Sequence, residues 1–316
     1  MSNNYCVVCT NDRLWKLTEL LSFLKENQGQ SITLDINPEA IDLIKIGLYE
    51  ILDLFDFESV TIFTYNPFEF HNKYTIVCKN TTVFLEEAAV VDPRLHQWTK
   101  DKIFLTMYRR PTAGRLGIAG HLFANHNDIS HIHFSANASS DELELYEMNK
   151  LLTYDLPSII NVGKMIPNMP LELASSQYYS KFGLMSNFDS ALREYYQQIL
   201  IDIVGETHVL GDTFFPTEKT TRPIWLKKPF IVFASKNYLD YLRQMGFRTF
   251  SDFWPEDYDG FDGRDRYIKI LELVDTLAQK SIDELEKMYW DMQYTLDHNY
   301  NLLSNQTYNT TISYLP

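Results

Sequence analysis

Two stretches of the chain combine residue types that bind phosphates and sugars. The first is Tyr108-Arg109-Arg110-Pro111-Thr112-Ala113-Gly114-Arg115. Three guanidiniums at a strand-to-helix turn reach phosphate oxygens in bidentate fashion, and the positive end of the helix dipole adds to them. The second runs from Ile203-Val204-Gly205-Glu206-Thr207 to Phe214-Phe215-Pro216-Thr217-Glu218-Lys219-Thr220-Thr221-Arg222-Pro223. Here Thr217 caps a short helix whose first turn presents Glu218 and Lys219. A carboxylate so placed accepts both hydroxyls of a ribose, while Lys219 and Arg222 neutralise a diphosphate. Each stretch also matches an ordinary solvated basic turn or helix start, so its place in the fold decides between the readings.

Other groups offer proton transfer or ligation. Asp35 and Glu39 stand at the end of a predicted strand and the start of its helix, as candidates for the base that an acceptor hydroxyl needs. A carboxylate at a helix start serves equally well as a dipole contribution. His121 follows the arginine turn on a predicted helix and is a third catalytic candidate. His131 and His133 alternate on a predicted strand, and with His126 nearby they bind a metal only if further ligands converge. The common outcome for such histidines is a hydrogen bond, and no metal site is expected. Cys6 and Cys9 form a Cys-x-x-Cys inside an apolar run, which reads as a buried strand rather than a redox pair or zinc site.

The elements that must position these residues alternate between strand and helix patterns. Strands are expected at Tyr5 to Cys9, Ile32 to Ile36, Val60 to Thr64, Tyr74 to Cys78, Val83 to Leu85, Ile103 to Met107, Ile199 to Val204 and Phe230 to Ala234. Helices are expected from about Asp12, with Leu14, Leu17, Leu21 and Leu24 on one face, and from Asn37-Pro38-Glu39, with Ile41, Ile44, Leu48, Ile51 and Leu52. More follow at Phe188 to Gln198, from about Asn237, and from Arg264 to about Leu302. Leu156 to Asn187 is the least periodic stretch and holds Pro157, Pro167 and Pro170, so the interdomain connection is expected there.

At 316 residues the chain is about twice the length of a typical ~150-residue domain. Its composition is globular, the alternation of strand and helix patterns is that of an α/β protein with a mostly parallel sheet, and no apolar run approaches the ~20 residues that span a bilayer. No secretory signal precedes Tyr5, which points to a cytoplasmic protein, in the host cell if the source is viral. The formal charge of −14 argues against a protein that grips duplex DNA mainly through its phosphates, although a local basic groove fits within an acidic total.

The second motif also carries a resemblance. Glu206, Thr217-Glu218-Lys219-Thr220, Arg222-Pro223 and Pro229-Phe230, followed by Gly246-Phe247-Arg248-Thr249-Phe250, resemble the donor half of GT-B glycosyltransferases, in a group common in bacteriophages and bacteria and distantly similar to fucosyltransferases. In that group the Glu-Lys step holds the ribose and phosphates of a nucleotide sugar. The arginine turn resembles the group's first-domain motif Asn-Arg-Arg-Pro-x-Pro-His-Arg, with Tyr108 in place of the asparagine and Gly114 in place of the histidine. The acidic segment Asp252 to Asp259 is similar to the group's acidic loop.

The resemblance implies two Rossmann-like domains facing a cleft, with C-terminal helices. Residues 1–160 would form the acceptor domain, 161–280 the nucleotide-sugar donor domain and 281–316 a helix and tail. It implies metal-independent sugar transfer from a nucleotide-sugar co-substrate, with no other cofactor. Arg109, Arg110, Arg115, Glu206, Thr217, Glu218, Lys219 and Arg222 would hold the donor. The acceptor would be a glycan or a hydroxymethylated base in bacteriophage DNA modification. The alternative from another class is a non-catalytic α/β protein that binds a nucleotide or a partner.

Overall fold

The computed structural model describes residues 3–10, 13–14, 16–36, 40–79, 98–135, 141–171, 173 and 190–305. They form a mixed α/β protein with two parallel four-stranded sheets. The described residues fall into two compact units, 3–79 with 207–215, and 98–206 with 216–305.

In the first unit, β1 (Asn3–Val7) is followed by a hairpin of β2 (Cys9–Thr10) and β3 (Arg13–Leu14), then α1 (Leu17–Glu26) and β4 (Ser31–Ile36). After these come α2 (Leu48–Leu52), β5 (Ser59–Thr64) and β6 (Thr75–Cys78). The sheet order is β1-β4-β5-β6, all parallel, so strand order follows chain order. Right-handed crossovers in one direction put every connecting helix on the same face. Burial agrees, because β4 and β5 bury alternate residues, with Ile32, Leu34, Ile36, Val60 and Ile62 in the core beside Leu20, Leu24, Leu48 and Leu52.

Two expected helices differ here. Leu14 belongs to the hairpin, so the first helix begins at Leu17, and Leu20 and Leu24 are its buried positions. The second is one short turn-and-a-half, because Gly47 takes a left-handed φ of 72° and confines the helix to Leu48–Leu52. Ile44 is left exposed. The expected strand at Val83 to Leu85 lies outside the described residues.

The second unit holds β7 (Phe104–Tyr108), α3 (Ala113–Asn125), β8 (Ser130–Phe134), α4 (Asp141–Tyr154), α5 (Leu156–Met165) and α6 (Ser190–Gln198). It continues with β9 (Ile201–Gly205), α7 (Glu218–Trp225), β10 (Phe230–Phe233) and α8 (Tyr238–Gln244). It ends with α9 (Gly263–Ala278), α10 (Ile282–Asp291) and α11 (Gln293–Asn305). Every residue of β7, β9 and β10 is buried, as expected of a parallel sheet with both faces covered.

The sheet order is β10-β9-β7-β8. From β7 the chain steps outward to β8, then returns past β7 to β9 and β10. The direction of winding therefore reverses between β7 and β9, which creates a topological switch point.

The expected boundaries move accordingly. Residues 104–134, assigned by sequence to a domain of residues 1–160, pair with β9 and share its sheet. The described part of the expected linker is instead mostly helix. Asp155 caps α5 through Ser158 N, and Pro157 sits in the first turn, where a missing amide costs nothing. Residues 172 and 174–187 of that expected linker lie outside the described residues. The helices beyond residue 281 belong to the second unit rather than to a separate tail.

α3 is the central helix of this unit and is buried all round from Ala113 to Leu122. Its glycines make that approach possible. A Cβ at Gly114 would lie 2.0 Å from the Phe233 ring, and one at Gly120 would lie 2.8 Å from Val162 of α5. No helix among the described residues is long and apolar enough to cross a membrane.

Candidate functional site

The two motifs found in the sequence meet at the switch point. β7 delivers Arg109 and Arg110 at its carboxyl end, and β9 delivers Glu206 at its own. Ligands in open α/β sheets bind in the crevice at such a point. The β7–β9 ladder spans only Phe104↔Ile201 and Leu105↔Asp202, although both strands run three residues further. Side chains fill the gap that opens. The Tyr108 hydroxyl donates to Ile203 O at 2.9 Å, and Arg115 Nη2 donates to Gly205 O and Glu206 O, both at 2.8 Å.

Arg115 is thus an internal strut, 4% exposed, and burial pushes its guanidinium below the ordinary arginine value. Among the described residues its buried Nε has no hydrogen-bond partner, nor has the buried hydroxyl of Thr112 at the start of α3. Arg222 is also internal. Its Nε donates to the Tyr196 hydroxyl at 2.6 Å, its Nη2 lies 3.6 Å from the Asp202 carboxylate, and Tyr196 donates to that same carboxylate. Burial raises the Asp202 carboxyl despite the neighbouring arginine. Arg109 and Arg110 are the exposed members of the expected set.

Glu206 organises the other wall. It is 1% exposed, and its carboxylate accepts from Thr217 N at 3.1 Å, Thr217 Oγ1 at 2.6 Å, Thr220 Oγ1 at 2.6 Å and the Tyr238 hydroxyl at 3.2 Å. With those four donors it fixes the start of α7 rather than meeting a ligand. Thr217 caps α7 as the sequence predicts, accepting from Lys219 N at 3.3 Å. Lys219 Nζ donates to Thr217 Oγ1 at 3.0 Å and Glu218 Oε1 at 2.8 Å.

The side chains of Glu218 and Lys219 are 26% and 20% exposed, so both still reach solvent. Burial pushes the Glu218 carboxyl up, but Lys219, its own amide and Arg222 outweigh that, so it lies below the usual glutamate value. It is therefore ionised at neutral pH, and its carboxylate is an acceptor only.

The amino terminus of α3 is already met by an internal anion. Ala113 N donates to Glu147 Oε2 of α4 at 2.7 Å, and Glu147 is buried. Sequence reasoning missed Glu147, because the bond spans 34 residues and α4 carries no local sign of it. It also missed Tyr196, Asp202 and Tyr238, whose roles depend on tertiary neighbours.

Asp35 is paired to Lys79 Nζ at 2.6 and 2.8 Å within the first unit. Glu39 lies outside the described residues. His121 sits two turns along α3, roughly 12 Å from its start at 1.5 Å per residue, and faces Asp275 of α9. His131 bonds Gln198 at 2.7 Å and His133 accepts from Leu173 N at 3.3 Å, so those two do not converge.

The acidic loop holds an Asp-x-Asp triplet, Asp257-Tyr258-Asp259, the spacing with which some transferases bind a metal. Asp259 is committed to Leu239 N, Asp240 N and Arg266 Nη2, and Asp257 pairs with Lys269, so the triplet closes the acidic loop onto α8 and α9. None of the three cysteines, all among the described residues, forms a disulfide.

Comparisons with protein-family models, with curated proteins and with solved structures found no match to this chain.

Proposed function

We propose that the protein is a nucleotide-sugar-dependent glycosyltransferase of the GT-B type, with its donor held at the switch point of the second unit. The observation that supports this reading is the contact between the two motifs beside the switch point, where Arg115 Nη2 donates to Gly205 O and Glu206 O. Arg109 and Arg110 are exposed after β7, Glu218 and Lys219 are half-buried at the start of α7, and among the described residues the buried Arg115 Nε and Thr112 hydroxyl have no hydrogen-bond partner.

In this reading the ionised Glu218 accepts the ribose hydroxyls, and Lys219 with Arg109 and Arg110 faces the diphosphate. Negative charge grows on the leaving phosphate as the glycosidic bond breaks. Fixed cations there favour the transition state over the ground state, with no reorganisation at the moment of reaction. Arg115, Arg222 and Glu206 hold the walls in place. The acceptor is a glycan hydroxyl or a hydroxymethylated base, and the latter must leave its base stack to react.

A second reading, a non-catalytic nucleotide-binding protein, is favoured by the commitment of Asp35 to Lys79 and of His121 to Asp275, which leaves the acceptor base unassigned. Turnover separates the two. Nucleotide-sugar panels incubated with the protein, with oligosaccharides or hydroxymethylated oligonucleotides as acceptors, are expected to release nucleotide from one donor. Lys219→Ala is expected to lower kcat/KM about 100-fold, the loss typical of one charge-stabilising donor. Binding without release of any nucleotide would favour the second reading, and wild-type rates in both Lys219→Ala and Glu218→Gln would remove the site assignment.

A further inference from the structure

Away from the switch point, one side-chain cluster has a chemistry of its own. α3 ends at Asn125, and His126 leaves helical geometry at φ −138° and ψ 25°. That turn brings His126 onto the carboxylate that His121 already faces. The Nε2 atoms of His121 and His126 lie 2.7 and 2.6 Å from the same oxygen, Asp275 Oδ1. The ligand atoms of the three residues all lie within 4.8 Å of one another, with the two rings edge to face at 5.4 Å.

We propose that His121, His126 and Asp275 form a binding site for a divalent transition metal of the zinc class. Two imidazoles and a carboxylate suit zinc, cobalt or nickel, whereas calcium and magnesium prefer all-oxygen sites. Zinc takes nitrogen and oxygen ligands at about 2.0–2.2 Å, so tetrahedral ligand atoms stand roughly 3.3 Å apart. The two imidazole–carboxylate pairs reach that spacing if each imidazole retreats by less than about 1 Å. The imidazole side chains are 11% and 16% exposed and the Asp275 side chain 45%, so the site is walled on the histidine side and open to water on the other.

An orienting group is also in place. Asn125 Nδ2 lies 3.1 Å from His121 Nδ1. With metal on Nε2, Nδ1 carries the proton, and the carboxamide turned by half a rotation accepts it through its oxygen. A metal here clips the end of α3 to α9, the helix packed behind it.

The test uses the untagged full chain, stripped with chelator and titrated by calorimetry near neutral pH. The expected result is one Zn²⁺ bound per chain and no Mg²⁺. His126→Ala and Asp275→Ala, at incompletely buried positions and checked for folding by circular dichroism, are each expected to weaken binding at least 100-fold, on the order of the largest losses seen even for orienting groups. Asn125→Ala is expected to cost about 10–100-fold. His131→Ala, whose imidazole bonds Gln198 elsewhere, is expected to bind as the wild type does. Cobalt gives a second readout, a visible absorption present in the wild type and lost in Asp275→Ala. Absence of stoichiometric zinc binding would overturn the proposal and leave a hydrogen-bonded staple, in which both imidazoles donate to Asp275. So would binding undiminished in both ligand variants.

Discussion

At the scale of single residues, arginine shows how one side chain serves two ends. Arg109 and Arg110 face solvent, while Arg115, Arg222 and Arg266 are buried struts that satisfy backbone carbonyls, a tyrosine hydroxyl and a carboxylate. The sequence held a signal for Arg115, because its helix reads Ala113-Gly114-Arg115-Leu116-Gly117-Ile118-Ala119-Gly120, apolar or small all round, which marks a helix with no solvent face. Nothing local distinguished Arg222. Two contrasting outcomes follow. Arg115→Met is expected to cost about 2–4 kcal/mol in denaturant unfolding, since it leaves two buried carbonyls without their charged donor. Arg109→Ala and Arg110→Ala are expected to stay within about 0.5 kcal/mol of wild type in stability.

Lys228 provides a second test at this scale. It is fully buried, donates to Ile199 O at 3.1 Å, and burial pushes its ammonium down to about 7. Between that value and the ordinary lysine value near 10.5, the unfolded chain holds a proton that the native chain has shed. Stability therefore rises with pH across that window, with a slope approaching about 1.4 kcal/mol per pH unit from this group. Lys228→Met is expected to remove that slope in unfolding curves recorded from neutral to alkaline pH. A slope that survives the substitution would assign it to other groups.

At the scale of elements, the strands were legible and the helix boundaries less so. Apolar β-branched runs placed β4, β5, β7, β9 and β10 within two residues, because a strand buried on one or both faces leaves its period in the sequence. The helix expected to begin at Asn37 failed at Gly47, whose left-handed backbone is a property of the fold that apolar spacing does not report. The expected linker misread Pro157, which starts α5 rather than breaking a helix.

The cap of α7 was read correctly from Thr217-Glu218-Lys219, and it predicts that Thr217→Ala lowers stability by about 1–2 kcal/mol, with Thr217→Ser close to wild type. Gly114 explains the departure from the resembled motif at that position. A histidine has no room where even a Cβ would meet Phe233 at 2.0 Å. Gly114→Ala is expected to destabilise by about 1–3 kcal/mol through overpacking, measured by thermal or denaturant unfolding.

At the scale of the whole molecule, the α/β class and the presence of two sheets were legible from alternating patterns, but the division between them was not. Strand pairing is a long-range property, and sequence gives no sign that β7 and β8 join β9 and β10 rather than the strands before them. That pairing bears on the proposed site, because both motifs then follow neighbouring strands of one sheet. The first sheet winds in a single direction among its described strands and offers no such reversal. The direct measurement of this account is calorimetric titration of the wild type, Lys219→Ala and Arg109→Ala/Arg110→Ala with a panel of nucleoside diphosphates at low and high salt. The account predicts that one nucleotide binds the wild type, that both variants bind it at least 10-fold more weakly, and that salt weakens the wild-type affinity as phosphate–cation contacts require. A panel in which no nucleotide binds, or one that binds all three proteins equally, would contradict it.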